Sequence, residues 1–389
     1  VYAGDVWSFT TPDHAVIDDF DQYDDDCHRI FFRWLDGLGH AGQADCLVAP
    51  QPGNGSGSAV GYEAAPYAEK SLVVSGQSLP LAYDNTLEPY YSEVTRTGLS
   101  LSSDWTRAGA DTLSLQFRGY PSALTERADG SMTLSSASLD IWDNADEFRY
   151  VYKKLQGNGS IVVRVDSLDN TDAWAKCGVM IRETLTPNSK HAMVVVTPEN
   201  GIAFQCRDAI GGSSWDTHTG AFSAPYWVKL TRSGDSFSAA YSEDGILWTH
   251  FTSGMVASRS LKTPSRRIKM KDDVYIGLAL TSQTRANPAI AHVSEMSTQG
   301  EIAGSWQVED IGWTQLSNDT ERLYIRIKDL AGHERTIMHP DPEAVLSSAW
   351  QTWQIPLNEF SVLDLSSVET ISLGLGDRDN PVPGGAGIL

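Results

Sequence analysis

Nine side chains in the middle of the sequence have the chemistry needed to hold a sugar. Residues 174–183, 201–208 and 226–231 alternate apolar and polar side chains, as strands with one buried face do. Tryptophan rings stack on sugar faces, and cationic or amide side chains donate to hydroxyls and carboxylates. The alternation, together with one loop tryptophan, predicts this ligand-binding set: Trp174, Lys176, Arg182, His191, Gln205, Arg207, Trp215, Trp227 and Lys229. The same face could instead pack against a neighbouring domain, so both interpretations stay open.

The sequence lacks the motifs of the common enzyme classes. It contains no GxSxG, HExxH, P-loop or GxGxxG pattern in a suitable context, and its nine histidines are scattered. Glycoside hydrolysis needs two carboxylates across a cleft, and 50 acidic residues make a chance pair uninformative. The sequence therefore favours a non-catalytic protein, with a glycan-acting hydrolase or lyase as the enzyme alternative.

The charge balance excludes two kinds of partner. The 389 residues include 29 basic and 50 acidic side chains, which gives a formal net charge of −21. Nucleic acids and anionic membranes bind positive surfaces, so neither is expected as a partner. No apolar run is long enough to span a membrane, so membrane insertion is not expected. Carboxylates in such number also suit Ca²⁺, although solubility alone explains the acidity equally well.

Four cysteines predict two local disulfides, Cys27–Cys46 and Cys177–Cys206, because neither pair has the spacing of a zinc site. Cys177 and Cys206 fall on the predicted core side of neighbouring strands, which is consistent with pairing. Disulfides indicate an oxidising, extracellular or cell-surface location. Buried free thiols are the alternative.

Short strands separated by Gly, Pro, Asn and Asp turns predict an all-β fold. The outer segments, residues 17–119 and 321–387, resemble a jelly-roll module of large secreted bacterial proteins, similar to galactose-binding-like carbohydrate-binding modules. The motifs that carry this resemblance are IDDFDQYDDD, FFRWLDGLG, VGYEAAPYAE, DTLSLQFRG, RLYIRIKDLAG, WQTWQIPLNEFS and ISLGLGDRDNPVPGGAG.

The middle of the chain resembles a concanavalin-like sandwich family of largely unknown function. The matching stretches are GSIVVRVDSLDNTDAWAKCGVMIRE, SKHAMVVVTPENGIAFQCR and APYWVKLTRSGDSFSAAYSEDGILWT. Together the two resemblances imply a jelly-roll β-sandwich with a concanavalin-like β-sandwich inserted in it. The expected domains are 14–125 with 315–389 for the jelly roll and 140–300 for the insert. Residues 1–13 are expected to be a strand or linker from a preceding fibronectin-like domain.

The jelly-roll resemblance implies a structural Ca²⁺ at the acidic opening of the module. The candidate ligands are Asp19, Asp21 and Asp24, of which the first two share one face of an extended segment. A solvated acidic turn is the alternative interpretation.

The sequence departs from the jelly-roll pattern at its end, where the usual last strand after the glycine-rich turn is missing. It also begins with an orphan strand pattern, VWSFT. These features suggest a piece of a longer protein or, alternatively, strand donation between copies in an extracellular filament. The leading hypothesis is a carbohydrate-binding or adhesive module of a secreted or cell-surface protein, with a glycan or cell-surface polymer as its partner.

Overall fold

The computed structural model describes residues 16–99, 103–106, 109–220, 222–251 and 265–389. The predicted strand at residues 1–13 lies outside these ranges. The all-β prediction is confirmed, because the described helical elements are short 3-10 turns and the rest of the regular structure is antiparallel strand. The 3-10 turns are Ile30–Phe32, Ala44–Cys46, Ala344–Leu346 and Leu357–Phe360. None of the described helical segments is long and apolar enough to cross a membrane.

The chain divides into two compact units. The first consists of Val1–Pro121 and Ser317–Leu389, and the second is Ser122–Leu316. The second unit is wider than the expected insert at 140–300, because strands on both sides of that range pair within its sheets.

Strands are numbered along the chain. Those of the first unit are β1 (Trp34–Leu35), β2 (Gly39–His40), β3 (Gln51–Pro52), β4 (Ser58–Val60), β5 (Leu81–Asp84), β6 (Tyr91–Arg96), β7 (Thr112–Phe117), β23 (Leu323–Asp329), β24 (Glu334–Met338), β25 (Gln351–Pro356), β26 (Val368–Gly376) and β27 (Ala386–Ile388). A five-stranded sheet of order β1-β6-β26-β23-β24 and the shorter groups β25-β7 and β27-β5-β4 surround an apolar core. Alternate residues of β23 and β26 fill this core, as the alternating sequence predicts.

The strands of the second unit are β8 (Leu124–Glu126), β9 (Met132–Ser136), β10 (Ile141–Trp142), β11 (Ala145–Asp146), β12 (Phe148–Leu168), β13 (Lys176–Arg182), β14 (His191–Val196), β15 (Ile202–Arg207), β16 (Trp215–His218), β17 (Tyr226–Ser233), β18 (Ser236–Ser242), β19 (Thr249–His250), β20 (Ser265–Arg267), β21 (Asp273–Thr281) and β22 (Ala289–Ile311).

Two long strands, β12 and β22, organise the second unit. They pair with each other along most of their length, and four register shifts bend the ladder. The first half of β12 also pairs with β21, which leads to β13, β14, β15 and β16, whereas its second half pairs with β17 and then β18. All these strands belong to one continuous 13-stranded sheet, whose two arms meet at β12 and face each other across a large apolar core. We call these arms the β13–β15 sheet and the β17–β18 sheet.

The cysteines behave differently in the two units. Cys27 and Cys46 form the predicted disulfide. The predicted Cys177–Cys206 disulfide is wrong, because both are free, buried thiols. They lie on β13 and β15 with β14 between them. Cys177 is opposite Val196 and Cys206 is opposite Ala192, four residues away along β14, so their backbones lie beyond the reach of a disulfide. Both side chains point into the core, as predicted, and burial raises the pKa of each thiol to about 12.

Thiol titration should separate the two cysteine pairs. Native protein should show no rapid reaction with a thiol reagent, because Cys177 and Cys206 are buried and protonated at neutral pH. Denaturant alone should expose two thiols, and denaturant with reductant should expose four. A denatured, unreduced protein with no reactive thiol would contradict this assignment.

Candidate functional site

The structure places five of the nine predicted ligand residues on one face of the β13–β15 sheet. Alternation on β13, β14 and β15 turns them away from the apolar core, as predicted. However, each is no more than 2% exposed, so the prediction that they meet a ligand in solvent is corrected. These residues are Lys176, Arg182, His191, Gln205 and Arg207.

A segment of the same unit covers this face. Residues 138–147 carry the β10–β11 hairpin across the sheet, and we call this segment the strap. The carboxylate of Asp146 in the strap accepts two bonds from the Arg207 guanidinium, at 2.6 and 2.9 Å, and one from Arg182 at 3.3 Å. Lys176 forms an ion pair with Asp140, also in the strap. Lys176, Arg182 and Arg207 therefore bind the strap instead of an external ligand.

His191 lies beneath the strap in an unusual electrostatic position. Its Nδ1 is 3.6 Å from a carboxylate oxygen of Asp146, and neither ring nitrogen has a hydrogen-bond partner among the described residues. Burial, helped by the neighbouring charges of Arg207 and Arg182, lowers the pKa of His191 to about 4. The ring is therefore neutral at physiological pH, and it leaves the Asp146 charge to the two arginines.

Stability at acidic pH tests the buried, neutral state of His191. Because the folded-state pKa of His191 lies below the unfolded value of about 6.5, the unfolded chain takes up the proton first. The contribution of His191 to the free energy of unfolding should be constant well above pH 6.5 and should fall by at most about 3 kcal/mol as the pH drops to 4. Chemical denaturation at several pH values measures this slope.

The matched variants are His191→Gln, which removes the titrating ring, and His250→Gln, which changes an exposed histidine. In His191→Gln the free energy of unfolding should depend less on pH between pH 4 and 6.5. In His250→Gln it should fall with pH as it does in the unsubstituted protein. Equal slopes in both variants would contradict the assignment to His191.

Trp174 and Trp215 are half-buried and lie at the β16 end of the β13–β15 sheet. The ring of Trp174 meets His218 edge to face at a centroid distance of 5.3 Å. Trp215 packs against the apolar core, and the Arg266 guanidinium lies 4.8 Å from its ring centre. Trp215 is therefore partly a core residue.

The remaining two predicted residues, Trp227 and Lys229, point outward from the β17–β18 sheet. Their strand neighbours Tyr226, Val228 and Leu230 fill the core, so the predicted alternation is correct here. Both side chains are partly exposed. Lys229 lies 5.6 Å from the ring centre of Trp248, which places a second tryptophan beside the first along this sheet face.

A β-bulge supplies further polar groups to the same face. Val162 pairs with Ser297 and Arg164 with Ser294, so β22 has one more residue than β12 in this interval. Glu295 lies in this bulge with a positive φ of 49°, a conformation that non-glycine residues rarely adopt. Its carboxylate accepts a hydrogen bond from the Trp227 indole nitrogen at 3.3 Å. The bulge thus aims an exposed acid at the tryptophan ring.

Arg164 completes this cluster from the neighbouring strand. Its guanidinium lies 4.8 Å from the ring centre of Trp227 and forms an ion pair with Asp166. Asp166 also accepts a hydrogen bond from the Ser294 hydroxyl at 3.1 Å. We call the whole set the bulge surface: Arg164, Asp166, Trp227, Lys229, Trp248, Ser294 and Glu295.

The turn between β18 and β19 supports this surface. The carboxylate of Asp244 accepts hydrogen bonds from the backbone of Leu247 and Ile246, and these bonds lower the pKa of Asp244. Gly245 has a positive φ of 72°, and a Cβ there would lie 3.1 Å from the Trp227 indole nitrogen. The turn therefore passes close to the Trp227 ring without a side chain between them.

Sequence reasoning missed five residues of this surface: Arg164, Asp166, Trp248, Ser294 and Glu295. Arg164 was detectable, because it alternates with the core residues Val163 and Val165 within a recognised strand. Trp248 follows the dipeptide Asp244-Gly245, which is typical of a hairpin turn, and could have been added on that ground. Glu295 had no such signal, because strict alternation does not reveal a one-residue bulge.

The acidic opening of the first unit gives three separate carboxylate environments. Asp19 accepts from the backbone of Asp21, Asp21 accepts from the backbone of Gln77, and Asp24 accepts from His28 and from the backbone of Asp26. Among the described residues, only Asp26, Cys27 and Cys46 bring three potential ligand atoms within 4.8 Å, and both sulfurs form the disulfide. The Ca²⁺ site therefore stays a prediction.

No family model and no curated protein matches the chain. A functionally unknown protein from Saccharomyces cerevisiae superposes on 50% of this chain and 98% of its own, with 14% identity and a TM-score of 0.36. The GH43 protein BlXynB from Bacillus licheniformis shares 15% identity over 43% of this chain, with a TM-score of 0.28, and the match spans only 32% of its length. Arcelin-5, a lectin-like defense protein from Phaseolus vulgaris, shares 9% identity over 50% of this chain and 100% of its own, with a TM-score of 0.28. These scores are too low to carry a functional argument.

Proposed function

We propose that the protein is a non-catalytic carbohydrate-binding module and that the bulge surface of the second unit holds the glycan. The observation that carries the proposal is the pair of partly exposed tryptophans, Trp227 and Trp248, on the outer part of one sheet, each beside a cation. Aromatic rings provide apolar area for sugar faces and lose little conformational entropy when they bind.

The polar groups of the bulge surface suit hydroxyl groups. Arg164, Lys229 and Ser294 offer donors, whereas Glu295 and Asp166 offer acceptors. A sugar hydroxyl both donates and accepts hydrogen bonds. Donors and acceptors placed together around an aromatic ring therefore satisfy it better than donors alone. The bulge supports this interpretation, because bulges are used to re-aim side chains at functional surfaces.

An extracellular or cell-surface location forms part of the proposal. The Cys27–Cys46 disulfide is stable in oxidising compartments, and a formal net charge of −21 favours solubility. Strand donation between copies stays a prediction, because residues 1–13 lie outside the described ranges.

One observation favours the enzyme alternative. Asp166 and Glu295 are two carboxylates on the same surface, and paired carboxylates hydrolyse glycosidic bonds when a sugar lies between them. Release of reducing ends, or of unsaturated products, from every polymer that binds would support catalysis. Binding without any product supports the module.

Substitution of Trp227 tests the proposal. Trp227→Ala should weaken binding to a retained polysaccharide by about fivefold or more, because truncation of an aromatic anchor costs over about 1 kcal/mol. Affinity electrophoresis in gels that contain soluble glucans, xylans, mannans or galactans identifies the polymer, and calorimetry then measures the affinity.

Trp313→Ala is the matched control, because Trp313 is 45% exposed on the same unit but belongs to a different cluster with Arg285. It should bind as the unsubstituted protein does, and both variants should unfold at similar temperatures. Equal affinities of Trp227→Ala and the parent protein would refute the placement of the site.

A further inference from the structure

We propose that the bulge surface selects uncharged polysaccharide segments and rejects carboxylated forms of the same backbone. This inference rests on the proposed function, and it names the substrate class of that site. It comes from the charges around Trp227 and from how they are already paired.

The arginine at the surface is not available to an anionic ligand. Arg164 donates to Asp166, and Asp166 also holds the Ser294 hydroxyl, so the guanidinium charge is neutralised within the cluster. The Nε of Arg164 is buried and has no hydrogen-bond partner among the described residues. A carboxylated sugar would have to displace Asp166 to form an ion pair here, whereas a hydroxyl group needs only one donor.

Acidic side chains outnumber basic ones in the bulge surface and the turn that supports it. Glu295 accepts a hydrogen bond from the Trp227 indole, Asp166 lies beside Arg164, and the adjoining turn contributes Asp244. Only Arg164 and Lys229 oppose these three carboxylates within the surface and its supporting turn. These side chains lie near solvent, where charges act over about 10 Å at 0.1 M salt. A polyanion therefore meets repulsion locally, and the formal net charge of −21 adds to it at longer range.

The positions of Glu295 and Asp166 also favour hydroxyl groups directly. Glu295 uses Oε2 for the indole, and Oδ1 of Asp166 accepts from both Arg164 and Ser294. Each carboxylate can therefore present its second oxygen to a ligand hydroxyl. An ionised carboxylate only accepts hydrogen bonds, so it binds hydroxyls and repels a second carboxylate.

The test compares each glucan, mannan or galactan that binds with its C6-oxidised form, in which a carboxylate replaces the primary alcohol on the same backbone. A xylan that binds has no C6, so it is compared with a xylan that carries uronic acid branches. Calorimetry at 20 mM and 500 mM NaCl measures both affinities for the parent protein. We expect the neutral polymer to bind at least about tenfold more tightly at low salt, since juxtaposed like charges oppose binding strongly. At 500 mM NaCl the ratio of the two affinities should be smaller, and the affinity for the neutral polymer should change little.

Glu295→Gln isolates the proposed group, because it keeps the size of the side chain and removes its charge. The ratio of neutral to carboxylated affinity should fall several-fold in this variant. Glu309→Gln, an exposed acid elsewhere on β22, should leave the ratio unchanged. A parent protein that binds the oxidised polymer equally or more tightly would overturn the selectivity. Failure to bind any polymer would instead refute the proposed function, so the two failures are distinguishable.

Discussion

The carboxylate of Asp146 and the two arginines that bind it, Arg182 and Arg207, determine which face of the second unit is buried and which can meet a ligand. All three side chains are fully buried, so each charge depends on the others for compensation. Removal of one partner from such a cluster typically costs about 3–5 kcal/mol, because the remaining charge stays buried and unpaired. This ion cluster keeps the strap on the β13–β15 sheet and assigns that face to the interior. The outer face of the β17–β18 sheet is then the one that can meet a ligand.

The bulge in β22 follows from the same pair of long strands. Because β12 and β22 contribute to both sheets, their ladder must bend, and register shifts absorb the bend. One of these shifts places Glu295 in a left-handed conformation next to Trp227. Backbone strain of this kind costs of order 1–3 kcal/mol and persists where the surroundings determine it. The geometry of the strand pair thus produces the polar border of the aromatic platform.

Local alternation predicted the fold class and the orientation of individual side chains well. Cys177, Val179 and Ile181 face the core as expected, and so do Tyr226, Val228 and Leu230. Alternation cannot say what covers the other face, so it left open whether Arg182 and Arg207 meet a ligand or pack against a neighbouring domain. It did not reveal that a strap of the same unit buries them. It also cannot measure the distance between non-adjacent strands, which is why Cys177 and Cys206 were paired across β14.

Hydroxyl-radical footprinting of the protein, free and saturated with a polymer that it retains, tests both faces in one measurement. Met180 and Met193 report on the buried face because methionine oxidises readily when water reaches it, and both are fully buried. We expect them to stay unoxidised in both states, whereas Trp227 and Trp248 oxidise in the free protein and become protected by the polymer. Oxidation of Met180 or Met193 in the free protein, or unchanged oxidation of Trp227 on binding, would contradict the account.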